Sequence, residues 1–392
     1  VDPGAGAGGH PAGGIGGAVT AAVARALGGG RHDEANRLAQ NALLIGCLLA
    51  ALFTSVMWSC GRPIYAAMGG KTAALEAALA YSNMMFGGAL VIWLSNILAA
   101  IVRGSGNMLL PSLMLTAATV AHLLLCPLLV FGGGPIAAQG VAGAALSSLS
   151  TSMLVGLVLA RHLWRSQGAV QLRRAEFGVR LELLRAILRV GAPASLSPVL
   201  SNGSIAAATA LIGGYGTAAL AGYGVAARLE YIMVPIAFGF GTALTTLVAT
   251  NIGAGQLARA LHATWTGGLV VAGITGLIGA VAAIAPELWM KHFSQDPAVL
   301  EFGATYLRIV GACYGLFGLG LALFFASQGA GRMFWPLAGS VARLLVVGGG
   351  GWLAVQVFHA PAWVFFCIVG AGFAIYALTI AGAIRLGSWA RQ

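Results

Sequence analysis

The chain has 392 residues, of which 59% are hydrophobic and 8% charged, with a mean hydropathy of +0.89 and a formal net charge of +11. This balance excludes an ordinary soluble domain and a disordered chain, and describes a membrane protein. Cys47, Cys60, Cys126, Cys313 and Cys367 stand singly with no CxxC pair, which argues against a redox motif or a thiolate metal centre.

A bilayer core about 30 Å thick takes roughly 20 apolar residues per helical span. The opening VDPGAGAGGHPAGG has no charged n-region or apolar h-region and does not read as a signal peptide. A short apolar stub follows at 16–28, then long runs at 36–59, 74–102, 109–131 and 137–160. Further runs lie at 190–212, 217–251, 262–285, 299–326, 334–357 and 362–386. No stretch alternates with period two between regular turns, as an outer-membrane barrel would. The expected fold class is all-α, a polytopic transmembrane helix bundle. Its predicted parts are an incomplete N-terminal lobe (1–164), a connector (165–189) and a C-terminal lobe (190–392). In the connector, basic residues alternate with Leu181, Leu184, Ile187 and Leu188, which predicts an interfacial helix.

The positive charge is one-sided. When the gaps between spans are assigned to alternating sides, fifteen of the 21 Lys and Arg residues collect on one side. They include Arg31, Arg103, Arg332, Arg385 and seven arginines between Arg161 and Arg189. The other side holds Arg62, Lys71 and Lys291, while Arg228, Arg308 and Arg343 fall within spans. The positive-inside rule accounts for this asymmetry without nucleic acid. It predicts that the connector and the C-terminus are cytoplasmic and that the chain is multi-pass in the inner (plasma) membrane.

Comparison of the chain with itself shows an internal repeat. ALGGGR (26–31) resembles NIGAGQ (251–256), LEAALAY (75–81) resembles LEFGATY (300–306), and RGSGNMLLP (103–111) resembles QGAGRMFWP (328–336). All three pairs share one ungapped offset, 336 − 111 = 225. A unit of that length holds six spans and returns to its starting side, so the halves are parallel repeats with a substrate site expected between them near the midplane. The span from Arg189 has no counterpart within the chain, so the first helix and most of the second read as missing or replaced. The paired glycines fall where apolar runs end and are expected to be left-handed helix caps; no GxxxxGK[ST] loop accompanies them.

The segments GGAVTAAVARALGGGRHDEA (16–35), ARLEYIMVPIAFGFGTALTTLVATNIGAGQ (227–256) and YLRIVGACYGLFGLGLALFFASQGAGRMFWP (306–336) resemble the multidrug and toxic compound extrusion family, the MATE transporters. The resemblance covers nearly the whole chain from about residue 16, in an N-terminally truncated or altered form. It implies two six-helix lobes and cation-coupled export of drug-like molecules by alternating access. Many members bind the coupling ion through an acid on the first helix, which is not found here. Some place acids on the tenth helix, where this chain has none between Glu301 and the inner end.

A charge at mid-bilayer costs about 2.5–3.5 kcal/mol on insertion scales, so a retained one suggests function. Of ten acidic residues, Glu230 alone lies within a span. Pro235 cannot donate to the carbonyl of Tyr231, leaving a polar backbone group beside the carboxylate. Glu230, Arg228 and Tyr231 are therefore the candidate ion-coupling residues. Arg228 lies two positions from Glu230 and on another face, so the two cannot pair directly. The competing reading is a permanent structural pair between Glu230 and a basic residue such as Arg343.

Asn83, Ser201, Asn202 and Gln328 are weaker candidates for a substrate cavity. Ser197, Ser201 and Ser204, like Gly311, Gly315 and Gly318, fit a helix-packing surface, and His122 fits a hydrogen-bonded structural histidine.

The leading expectation is an exporter that exchanges protons, or sodium, for organic cations, working in the lipid bilayer as a monomer without cofactor or metal. A lipid-linked precursor flippase is an alternative, though its phosphates would call for a more basic cavity. A transport-inactive fragment is a second alternative. An intramembrane enzyme would need a nucleophile with its base, paired carboxylates or a metal set, and no span supplies one.

Overall fold

The computed structural model describes residues 11–67, 72–133, 137–165, 168–172 and 178–389. In these residues the regular structure is helical. In order the helices are α1 (Pro11–Gly28), α2 (His32–Ala67), α3 (Thr72–Gly87), α4 (Ala89–Gly104), α5 (Leu109–Phe131), α6 (Val141–Arg165) and α7 (Leu181–Gly213). Then follow α8 (Thr217–Gly253), α9 (Leu257–Ile284), the short α10 (Glu287–Met290), α11 (Pro297–Val310), α12 (Tyr314–Ala330), α13 (Phe334–Leu344) and α14 (Ala362–Arg385). Nine described helical stretches are long and apolar enough to cross a membrane, α11 and α12 counting as one. A bent pair formed by α3 and α4, turning by 50°, makes a tenth. These match the ten long apolar runs, and the stub is α1, 18 residues against the 37 of α8.

The 225-residue register reappears in the backbone. α1 ends at Gly28 and α8 at Gly253; α2 begins at His32 and α9 at Leu257; α5 begins at Leu109 and α13 at Phe334. The glycines expected as caps hold left-handed backbone: φ is +73° at Gly30 and Gly255, +92° at Gly106 and +75° at Gly331. Behind three of them the next amide reaches back five residues, from Arg31 to Ala26 (2.9 Å), Gln256 to Asn251 (2.8 Å) and Arg332 to Ser327 (2.9 Å). These bonds satisfy carbonyls that the helix end leaves open. Even the break is repeated: α3 gives way to α4 at Gly88, and 225 residues on, a 3₁₀ turn at Gly311–Cys313 separates α11 from α12.

The chain divides into two compact units. One comprises Ala22–Ile187; the other comprises Leu188–Gln392 with Val1–Ala21. Within the larger unit, small residues let helices approach at backbone distance. A Cβ on Gly222 would stand 2.7 Å from the carbonyl oxygen of Val299, and one on Gly303 would run into the Met290 side chain and stand 2.9 Å from the carbonyl oxygen of Gly222, so α8 and α11 approach at backbone distance here. Gly311 and Gly315 pack in the same way against Gly279 and Gly276 of α9, and Gly318 against Thr275, which is the packing surface expected of them. Asp296 caps α11 by accepting from the Ala298 amide at 2.9 Å, with Pro297 at the first helical position. Beyond Arg343, α13 loosens into π-helical turns at Leu345–Gly350 and Leu353–Val357.

In the smaller unit the connector departs from expectation. No continuous helix spans 165–189. α6 ends at Arg165, residues 168–171 are not helical, and Leu181–Arg189 form the first turns of α7; 166–167 and 173–177 lie outside the described residues. Side chains of α2 provide the physical reason, because they take up the connector's backbone groups. Asn36 Oδ1 accepts from the Gln171 amide (2.8 Å), Asn41 Oδ1 from the Arg180 amide (3.1 Å), and Asn41 Nδ2 donates to the Gly178 carbonyl (3.3 Å). Local bonds of this kind compete with a helical ladder.

Candidate ion-coupling site

Glu230 lies on the core-facing side of α8. Tyr223, Ala226 and Met233, at positions i−7, i−4 and i+3 from it, are all buried. The carboxylate is partly buried and is met by two phenols. Tyr306 Oη of α11 donates to Glu230 Oε1 at 2.6 Å, and Tyr314 Oη at the start of α12 donates to the same oxygen at 3.4 Å. The shorter contact has the length of a charge-assisted bond. Both tyrosines are essentially inaccessible, at 1% and 0% exposure. Close approach at Gly222 and Gly303 brings α11 within reach, and Tyr306 and Tyr314, eight positions apart across the short 3₁₀ turn, fall on the same inward stripe.

Aromatic rings close the surroundings. Tyr223 and Phe366 each stand edge-on to Tyr306 at 5.2 Å, and Phe373 packs against Tyr314. Arg343 of α13 is buried, with its guanidinium 4.6 Å over the Phe373 ring, and it is close enough for its charge to act on Glu230. It does not reach the carboxylate as an ion pair, and among the described residues its Nε has no hydrogen-bond partner. The cluster therefore combines one carboxylate, two phenol donors and one separated guanidinium in apolar walls. Away from this cluster, Tyr215, between α7 and α8, donates to the Ala360 carbonyl at 2.8 Å. Burial lifts that phenol above its ordinary range and keeps it a donor.

The other residues singled out in the sequence lie in varied settings. Arg228 is exposed and stacks 5.6 Å over Phe293, and Tyr231 is 53% exposed, so neither joins the Glu230 cluster. Ser201 is partly buried and Asn202 exposed on α7. Asn83 is exposed, and its carbonyl accepts from Trp58 Nε1 at 3.5 Å. Gln328 is fully buried and donates to the Gly14 carbonyl at 3.0 Å, inside the packing of α1 on α12. His122 bonds Ser147 Oγ at 2.9 Å between α5 and α6. Sequence reasoning missed Tyr306 and Tyr314. Tyr306 had one signal, its repeat partner Tyr81, which identified it only as a repeat position.

Among the described residues, nine helical stretches and one bent pair in repeated halves make a polytopic membrane protein. The MatE family model matches residues 6–128 and 193–349, and the chain belongs to this family, the MATE transporters, whose members are transporters and not enzymes. It is 27% identical over 318 residues to a protein of Shewanella oneidensis named FAD transporter, covering 80% of this chain and 69% of that one. It is 24% identical over 325 residues to the probable multidrug resistance protein NorM of Thermotoga maritima, covering 81% and 68%. Among solved structures, a MOP superfamily transporter from Pyrococcus furiosus superposes with a TM-score of 0.89 at 21% identity, over 97% of this chain and 85% of the other. An outward-facing multidrug resistance MATE family transporter superposes with a TM-score of 0.86 over the same shares.

Proposed function

We propose that the chain is a proton-coupled multidrug antiporter of the inner membrane, exporting amphipathic organic cations by alternating access, with Glu230 as the coupling carboxylate. The observation that carries this reading is the two-phenol, one-arginine setting of Glu230, an acid far from either end of its span. A proton arriving from outside binds a Glu230 oxygen and neutralises the carboxylate. Arg343 then loses its nearby counter-charge, and a buried guanidinium without compensation is unstable, which favours rearrangement of the surrounding helices. Release of the proton inward restores the carboxylate, and substrate leaves in the opposite direction. The probable multidrug resistance relatives support the substrate class.

A second substrate class is an anionic dinucleotide, favoured by the Shewanella relative's name. Both are tested in everted vesicles from a pump-deficient host. Ethidium uptake driven by a pH gradient, abolished by nigericin and indifferent to sodium, is the expected result. FAD uptake without ethidium uptake would replace the drug reading, and sodium-driven uptake would replace the proton.

A further inference from the structure

The smaller unit carries a basic groove that the coupling site does not use. It has a volume of about 410 Å³ and is lined by Leu110 at the start of α5 and by Val158, Arg161, His162 and Arg165 on the last turns of α6. The α6 residues recur at i, i+3, i+4 and i+7 from Val158, so they form one face of the helix. Among the described residues, Arg161, His162 and Arg165 make no hydrogen bond or ion pair, and the ion pairs of this unit, Arg31–Glu34 and Arg62–Glu76, involve other side chains.

The groove is also amphiphilic along its length. Its basic rim lies at the helix end, while Val158 and Leu110 form an apolar wall. That wall continues along α6 to Leu154, which is 57% exposed, and along α5 to Leu113, which is 53% exposed. The repeat offers a contrast: 225 residues on, these five positions are Trp335, Ala383, Leu386, Gly387 and Ala390, with no basic residue among them. The charge therefore does not follow from the repeated architecture.

We infer that this groove binds an anionic phospholipid, with the headgroup phosphate held by Arg161 and Arg165 beside His162 and an acyl chain along Val158, Leu154 and Leu110. A guanidinium pair suits a phosphodiester, and basic pockets at helix ends in the interfacial region are suited to such headgroups. A free anion would use the rim but not the apolar wall, so the combination selects a lipid.

The test uses the full chain in nanodiscs of phosphatidylcholine with and without phosphatidylglycerol, and counts retained lipids by native mass spectrometry. The protein retains phosphatidylglycerol over phosphatidylcholine, and Arg161→Gln with Arg165→Gln lowers that retention by roughly thirtyfold. Arg259→Gln on α9, which lies outside the groove, leaves it unchanged. Unaltered melting in pure phosphatidylcholine shows that the double variant folds; should it fail to accumulate, Arg165→Gln alone still lowers retention about fivefold. Equal retention of the two lipids, or retention unaffected by these substitutions, overturns the inference. So does competition by inorganic phosphate or glycerophosphoglycerol as effective as that of the lipid, which would make the groove a soluble-anion site.

Discussion

At the scale of single residues, the coupling site depends on where three side chains point, and one hydrogen bond dominates it. Tyr306→Phe removes the 2.6 Å donor while keeping the ring that packs against Tyr223 and Phe366. Loss of a bond to a charged group is expected to lower stability by about 1.5–3 kcal/mol, read as a fall in the melting temperature of the detergent-solubilised protein. An unchanged melting temperature would mean that the bond contributes nothing in solution. Glu230 and Arg343 are also expected to be coupled although they do not touch. In a double-mutant cycle with Glu230→Gln and Arg343→Gln read by thermal unfolding, the effects on stability depart from additivity by about 0.5–3 kcal/mol; strict additivity would show that the two charges do not interact. Glu230 was legible in the sequence because an acid in an apolar span stands out against its background. The tyrosines were not, because a phenol is at home on many helix faces and only the crossing of α8 with α11 decides which one meets the carboxylate.

At the scale of elements, glycines set how closely helices approach. Gly303→Ala would drive a methyl group into the Met290 side chain and against the Gly222 carbonyl, displacing Met290 and pushing α11 from α8. Overpacking of this kind costs about 1–3 kcal/mol and should also withdraw Tyr306 from Glu230, so transport falls along with thermal stability. A stable variant with full transport would show that the approach is adjustable. The connector gives a second prediction. Asn36→Ala with Asn41→Ala removes acceptors for the Gln171 and Arg180 amides, and hydrogen exchange should quicken at those two amides while α2 itself stays protected. The spans and the glycine caps were readable, since apolar run length and the φ > 0 requirement are local properties, while several helix ends were not: α2 runs eight residues past the expected 59 and α7 starts nine before the expected 190. In the connector the amphipathic stretch Leu181–Leu188 is helical as the start of α7, whereas residues 168–171 and 178–180 are not, their backbone being engaged by asparagines more than 130 residues earlier in the chain.

At the scale of the whole molecule, the repeat and the charge asymmetry together fix the orientation expected of the transporter. Reporter fusions after Arg174 and at Gln392 should both read cytoplasmic, in line with fifteen basic residues gathered on that side. A periplasmic signal from either would invalidate the even number of spans per repeat. The measurement closest to the central proposal follows protons directly. In proteoliposomes loaded with a pH-sensitive dye, addition of ethidium should move protons across the membrane when the unmodified chain is present. Glu230→Gln, which keeps the shape but cannot titrate, should insert at matched levels and move none, while Glu230→Asp keeps part of the signal. Proton movement by Glu230→Gln at the unmodified rate would contradict the assignment and leave the Glu230 cluster a purely structural one.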